Sequence, residues 1–183
     1  MKNGNGTPST IHSAVLQTCL GQVEVAWDGA RLASIRLGRF GRVDIARPAL
    51  MEGNPPDPAG QRLIDALAGY FSGEPVRFHD LPDMSGFTAF QGMVWRATRD
   101  IPYGVRRTYS DVANAVGRPK APRAVGAALG KNPFVIVVPC HRVVGASGAL
   151  TGFAYGGEWK AALLALEENG WQGERGNDGR NRL

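Results

Sequence analysis

The residues with the clearest chemical potential stand together as Pro139-Cys140-His141-Arg142-Val143-Val144. Cysteine attacks as its thiolate, and a thiolate needs a base or a positive charge nearby. His141 and Arg142 supply both locally. The plainer reading is that Cys140 is a small apolar residue beside a buried strand, the commoner fate of a lone cysteine. In extended chain the side chains at i and i+1 point to opposite faces. His141 is therefore not expected to touch Cys140. Acting as its base would take a bridging water, plus a carboxylate to hold the imidazole tautomer. Glu167 or Glu168 could supply that carboxylate, the alternative being a solvated helix face.

These residues need a scaffold. Phe134-Val135-Ile136-Val137-Val138, bounded by Pro133 and Pro139, reads as a buried strand or extended core segment leading into Cys140. A Gly-rich loop follows from Gly145 to Gly157, then a helix over 158–169 that carries Leu163, Leu164 and Leu166 and stops at Gly170. Upstream, Thr88 can cap a helix whose apolar stripe is Phe90, Met93, Val94, Ala97 and Ile101. Two short helices, about 110–116 and 121–129, are joined by Gly117-Arg118-Pro119-Lys120 and resemble a helix-turn-helix.

The first half is built differently. Val23, Val25 and Trp27 alternate with Gln22, Glu24 and Ala26 as in a half-buried strand, and Asp28-Gly29 is a two-residue hairpin turn. With Leu32, Ile35 and Leu37 as the return strand and the run 14–19, a small antiparallel sheet of about three strands is expected. Residues 38–58, with four prolines, read as loop, and 59–71 as a helix with Leu63, Ile64, Leu67 and Tyr70 or Phe71 inward. The expected class is α+β: a small N-terminal antiparallel sheet with a helix, then a mainly helical C-terminal domain with the helix-turn-helix and the cysteine. The expected divisions are a disordered 1–12, an N-terminal domain 13–85, a C-terminal domain 86–170 and a flexible tail 171–183.

Composition excludes several classes. The 183 residues are 43% hydrophobic, too apolar for wholesale disorder. No run approaches the ~18 apolar residues of a membrane span, and Met1 to Thr10 lacks the apolar core of a secretory signal. Two cysteines, Cys19 and Cys140, rule out a disulfide scaffold and a four-cysteine zinc site. A cytoplasmic chain with free thiols is the expectation. The net charge of +5 permits nucleic-acid binding without establishing it.

The six residues at 139–144 resemble the active-site signature of the O6-alkylguanine-DNA alkyltransferases, the methylated-DNA–protein-cysteine methyltransferase family. The resemblance extends in order through Phe90-Gln91-x-x-Val94-Trp95, Ile101-Pro102-x-Gly104, Thr108-Tyr109, Arg123-Ala124-Val125-Gly126, Asn132-Pro133, Gly148, Thr151-Gly152, and a final helix with Lys160, Leu163-Leu164 and Glu167. It is strong over about 86–170 and weak across the N-terminal sheet.

The resemblance implies repair of O6-alkylguanine, and less so O4-alkylthymine, in double-stranded DNA. Cys140 would be the alkyl acceptor, His141 its base through a water, and Glu167 the residue that orients His141. Asn132 would brace the turn carrying the cysteine, and Tyr109 would donate to guanine N3, with Lys160 beside it. The thioether product does not hydrolyse, so the chain would react once. It would need neither metal nor S-adenosyl donor, because the lesion is the donor. The buried base must be flipped out, with Arg123 filling the gap in the stack. The small residues from Ala121 through Ala124 and Gly126 would let their helix lie in the minor groove. Tight helix–helix packing is the plainer account of that composition, and both can hold. Ser110, Lys120 and Lys131 would add backbone contacts. The carbonyls of Cys140 and Val143 would take the guanine 2-amino group, with Phe153, Ala154 and Tyr155 around O6. The protein is expected to act as a monomer.

Three departures from the family pattern bear on the size of alkyl group accepted: Phe153 where many members have Tyr, Ala154 where some have Ser, and Tyr155 where others have Gly. Structural zinc is not expected from Cys19, His12 and His79, whose spacing matches no common site, and Cys19 reads as a strand residue. A non-catalytic alkyltransferase-like lesion binder would lack the acceptor cysteine. A cysteine hydrolase would need direct thiol–imidazole contact. A fused regulator would need a longer chain with four zinc-binding cysteines.

Overall fold

A computed structural model describes residues 10–45, 47–78 and 82–169. The expected disordered N-terminus and C-terminal tail, the stop at Gly170, and His79 fall largely or wholly outside these residues.

Four strands open the chain: β1 (Ile11–Thr18), β2 (Gly21–Asp28), β3 (Arg31–Phe40) and β4 (Ala49–Gly53), ordered β3-β2-β1-β4 with every pair antiparallel. The register places Leu16 opposite Val23 and Ala14 opposite Val25, and Val25 opposite Ile35. These residues are buried and share one face, as a two-residue period requires. β1 begins at Ile11, inside the polar N-terminal stretch. Cys19 lies past the end of β1, in the turn to β2, rather than in a strand. Its thiol donates to the Phe71 carbonyl at 3.4 Å, and burial pushes its pKa up to about 11. Among the described residues no three His, Cys, Asp or Glu side chains gather as metal ligands.

The expected three strands are four. β4 lies in the stretch read as loop. All five of its residues are exposed, so no apolar alternation marks it in the sequence.

Helix α1 (Pro58–Phe71) starts on the Asp57 side chain, which accepts from Gly60 N, and buries Ile64, Leu67, Tyr70 and Phe71. Helix α2 (Ala89–Arg99) has a reciprocal Thr88–Gln91 capping box. Its buried side is Gly92, Val94, Trp95 and Thr98, while Met93 is exposed. The expected stripe is therefore rotated: Trp95, whose Nε1 donates to the Ala128 carbonyl at 3.0 Å, turns inward in place of Met93.

Next come β5 (Arg107–Thr108), α3 (Tyr109–Ala115), α4 (Pro122–Leu129), a 3₁₀ turn (Cys140–Arg142), β6 (Val143–Val144) and α5 (Gly157–Asn169). β5 pairs in parallel with β6, tying the start of α3 to the chain just past Cys140.

Residues 134–138 are buried as expected but do not form a strand. The run folds into a turn closed by Val138 N to the Phe134 carbonyl at 2.8 Å, with Ile136 at φ 74°. A β-branched residue in the left-handed region costs about 1–3 kcal/mol. The Ile136 side chain is held fully inside the core, which resists relaxation.

One hydrophobic core runs through both halves. Ile35 of β3 donates to the Pro133 carbonyl at 2.7 Å, and Trp159 of α5 donates to the Gly38 carbonyl at 3.0 Å. Among the described residues no helix is long and apolar enough to cross a membrane.

Candidate active site

Cys140 sits, partly accessible, at the start of the 3₁₀ turn. The extended-chain premise does not apply there: the His141 backbone N–H supports the sulfur, while its ring, engaged with Glu167 and Tyr70, is not on the thiol. Its Nε2 lies 2.7 Å from Glu167 Oε1 and 3.2 Å from the Tyr70 hydroxyl, while Nδ1 is buried with no hydrogen-bond partner among the described residues. A carboxylate at Nε2 requires the proton there, which leaves a lone pair on Nδ1.

Glu167 is gripped from several sides. Arg142 Nε donates to both carboxylate oxygens, at 3.1 and 2.9 Å, and Arg142 Nη2 to Oε1 at 3.0 Å. Gly104 N donates to Oε2 at 3.0 Å, and the Tyr70 hydroxyl to Oε1 at 2.7 Å. Gly104 holds φ 73°, a conformation that suits glycine at this turn. Burial raises the Glu167 carboxyl, but His141 and Arg142 outweigh it and hold it well below the usual carboxylate range. Burial likewise pushes His141 below its ordinary value against the pull of Glu167, so the imidazole is neutral. Glu168 is exposed and pairs with Arg106 instead, which decides between the two candidates.

Arg142 is thus not the local cation suggested by its place beside Cys140. Its guanidinium is spent on Glu167 and, through Nη1, on the Ile101 carbonyl at 2.6 Å. The cation acting on the thiol is Lys160, fully buried on α5, with Nζ donating to the carbonyls of Val143 at 2.6 Å and Thr151 at 2.8 Å. Burial raises the Cys140 thiol, opposed by the amide of Asn132 and the charge of Lys160.

Asn132 staples the turn. Its Oδ1 accepts from Phe134 N at 3.0 Å, and its Nδ2 donates to the Val138 carbonyl at 2.9 Å and lies 3.3 Å from Cys140 Sγ. One side chain therefore closes both ends of the 134–138 turn and contacts the sulfur.

The Tyr109 hydroxyl donates to the Thr151 carbonyl at 3.0 Å, and Lys160 Nζ stands 5.9 Å from its ring centre. Burial and then the Cys140 charge push its pKa up, so it is a protonated donor at neutral pH. Gly152, at φ 71°, allows this contact, since a Cβ there would lie 2.5 Å from the Tyr109 hydroxyl. Phe153 and Tyr155 stack at a tilt, centroids 5.7 Å apart, with Ala154 exposed between them. Val143 presents a carbonyl already held by Lys160, with one lone pair left.

Arg123 and Ala124 are exposed on α4, and Ala121 and Gly126 are half-buried. Gly126 faces the Tyr109 ring, which a Cβ would meet at 3.6 Å. Lys120 and Lys131 are exposed at the two ends of α4. Ser110 is exposed in the first turn of α3, but that turn is occupied: Asp111 N donates to the Thr108 hydroxyl and Thr108 N to the Asp111 carboxylate. An acidic residue there weakens the phosphate-binding role expected of this helix start.

Sequence reasoning missed Tyr70, 71 residues before His141 and readable only as an apolar position of α1. Spacing within the signature carries no trace of it.

Residues 89–169 match the family described as 6-O-methylguanine DNA methyltransferase, DNA binding domain. A Mycobacterium bovis methylated-DNA–protein-cysteine methyltransferase is 40% identical over 159 residues, covering 87% of this chain and 93% of the relative. A Methanosarcina barkeri protein of the same name is 50% identical over 103 residues, 56% of this chain and 65% of that protein. Among solved structures, Mycobacterium tuberculosis OGT in complex with DNA superposes with TM-score 0.70 at 39% identity, covering 85% of this chain and 92% of that one.

Proposed function

The chain belongs to the methylated-DNA–protein-cysteine methyltransferase family, and from that premise we propose how its own residues perform the reaction. It is a DNA-repair enzyme that works by direct reversal, and DNA is its partner. The substrate we assign is O6-alkylguanine in duplex DNA, with O4-alkylthymine a poorer one. One observation carries the assignment of roles: the histidine next to Cys140 has Nε2 committed to Glu167 and Nδ1 buried and, among the described residues, unpaired.

In the proposed reaction His141 Nδ1 takes the thiol proton through one water. Asn132 and Lys160 support the thiolate. Sulfur attacks the alkyl carbon, an S–C bond forms, and the C–O6 bond breaks with its electron pair passing to guanine. Tyr109 exchanges the Thr151 carbonyl for guanine N3 and donates there as charge develops. The alkyl group stays on Cys140 as a thioether, so each chain reacts once. No S-adenosyl donor enters, since the lesion carries the group transferred. Arg123 on exposed α4 occupies the place of the flipped nucleotide. Ala121, Ala124 and Gly126 give the backbone close approach to the groove, and Lys120 and Lys131 meet flanking phosphates. Residues 86–170 carry DNA binding and alkyl transfer, and 13–85 form the N-terminal unit. The protein acts as a cytoplasmic monomer. A non-catalytic lesion binder is the weaker reading, because the acceptor thiol is present and supported.

Incubation with an O6-methylguanine oligonucleotide should add one methyl, about 14 Da, to the intact chain, and Cys140→Ser should abolish the gain. An unmodified wild-type chain overturns the reading.

A further inference from the structure

Tyr70 comes from the N-terminal unit, yet its hydroxyl sits inside the Glu167–His141 pair. It donates to Glu167 Oε1 at 2.7 Å and stands 3.2 Å from His141 Nε2. The residue is fully buried. Its ring is held edge-on by Phe71, with centroids 5.2 Å apart, and by Tyr103 at 6.0 Å, and it meets the His141 ring at 6.3 Å. Its single proton is committed to the carboxylate. The oxygen therefore offers His141 only a lone pair, which again favours the proton on Nε2.

Resting on the alkyl-transfer reading above, we propose that Tyr70 is a positioning residue for that reaction: its hydroxyl shares the Glu167 charge and holds His141 as the neutral Nε2–H tautomer that can accept the thiol proton. Glu167 left to itself would stabilise an imidazolium, which is no base. Each donor to Oε1 takes up part of that charge and lowers the pull on His141. The other charged groups acting on this imidazole, among the described residues, are Arg142 from the 3₁₀ turn and Lys160 from α5, with the Cys140 thiol adjoining in sequence and Tyr103 close to Tyr70 and Glu167. Both cations disfavour the imidazolium, in the same direction as Tyr70. Burial and the neighbouring Glu167 charge raise the Tyr70 phenol well above its ordinary value, so it remains a donor throughout the working range. The N-terminal unit thereby reaches the chemistry through one hydroxyl.

The test is Tyr70→Phe in the full chain, which keeps the ring packing and removes only the donor. Single-turnover methyl transfer from an O6-methylguanine oligonucleotide would be followed from pH 5 to 9, alongside NMR titration of His141, which needs no chemistry. The variant should still be methylated to completion. At neutral pH it should react up to about threefold more slowly, and more so toward pH 5, with the acid limb of the profile and the His141 titration both moved up by about 0.5–1 pH unit. Site-directed 3-fluorotyrosine at position 70, a stronger donor of nearly the same shape, should move both downward, and it serves as the test if Tyr70→Phe fails to fold. A slower variant with an unmoved profile and unmoved His141 titration overturns the proposal and leaves Tyr70 as packing. An inert wild-type chain would instead overturn the alkyl-transfer reading, with the titration still deciding whether Tyr70 acts on His141.

Discussion

Cys140, the proposed nucleophile, is placed where burial works against it. Desolvation raises the thiol, opposed first by the Asn132 amide at 3.3 Å from sulfur, then by the buried Lys160 cation and the backbone N–H groups of Cys140 and His141. Asn132 does double duty, because its oxygen and nitrogen also close the 134–138 turn. Asn132→Ala is expected to leave Phe134 N and the Val138 carbonyl without these partners and to remove the amide from the sulfur. Stability should fall by about 1–3 kcal/mol in denaturant unfolding, and methyl transfer should slow at least tenfold. A wild-type transfer rate in a folded variant would refute this role. Cys19 makes the contrast clear: burial raises it to about 11 despite a backbone hydrogen bond and the charge of Arg42, and its thiol is spent on the Phe71 carbonyl.

At the scale of elements, α3 and α4 form one small-residue unit whose inner side holds Val112, Ala113, Val125 and Ala128 and whose outer side shows Arg123 and Ala124. Arg123→Ala should weaken repair of a lesion in duplex DNA about tenfold or more while barely changing reaction with free O6-methylguanine base, because the arginine is assigned to the flipped state rather than to the chemistry. Equal losses on both substrates, measured as single-turnover rates, would refute that assignment. α2 was legible from its Thr88 cap and the other helices from apolar spacing and flanking Gly and Pro, while the Asp57 cap of α1 and the Thr108–Asp111 box of α3 were found only in the structure. The 134–138 run was misread because β-branched composition reports burial as much as extension. Burial is what it obtained, with its backbone turned back on Phe134 and on Asn132.

Across the whole molecule, the active site is a seam. α1 supplies Tyr70, the loop after α2 supplies Gly104, the 3₁₀ turn supplies Cys140, His141 and Arg142, and α5 supplies Lys160 and Glu167. Its protonation is therefore linked to global stability. Burial holds folded His141 below its ordinary value of about 6.5, so on acidification the unfolded chain takes up a proton that the native site refuses. Stability should fall as pH drops through about 6.5 toward the folded value. Folded Glu167 is held low by His141 and Arg142 against its burial, so a second loss should begin below about pH 4.3, where the unfolded carboxylate protonates first. In thermal unfolding, His141→Gln should flatten the first phase and shrink the second, which His141 helps to set together with Arg142; an unchanged first phase would show that another group causes it. The sequence by itself determined the class of fold, the helices, the family and Cys140 with its neighbours His141 and Arg142, and it named Asn132, Lys160 and, over Glu168, Glu167 only through the family resemblance. Those features rest on local spacing, capping and side-chain type, which a linear reading contains. Only the tertiary structure decided that Arg142 is spent on Glu167, that Lys160 is the cation serving the thiol, that Ile136 is forced to positive φ, and that Tyr70 completes the site. Each of these depends on which distant groups share a buried, low-dielectric space, where an unpaired charge is costly and every donor must find its acceptor.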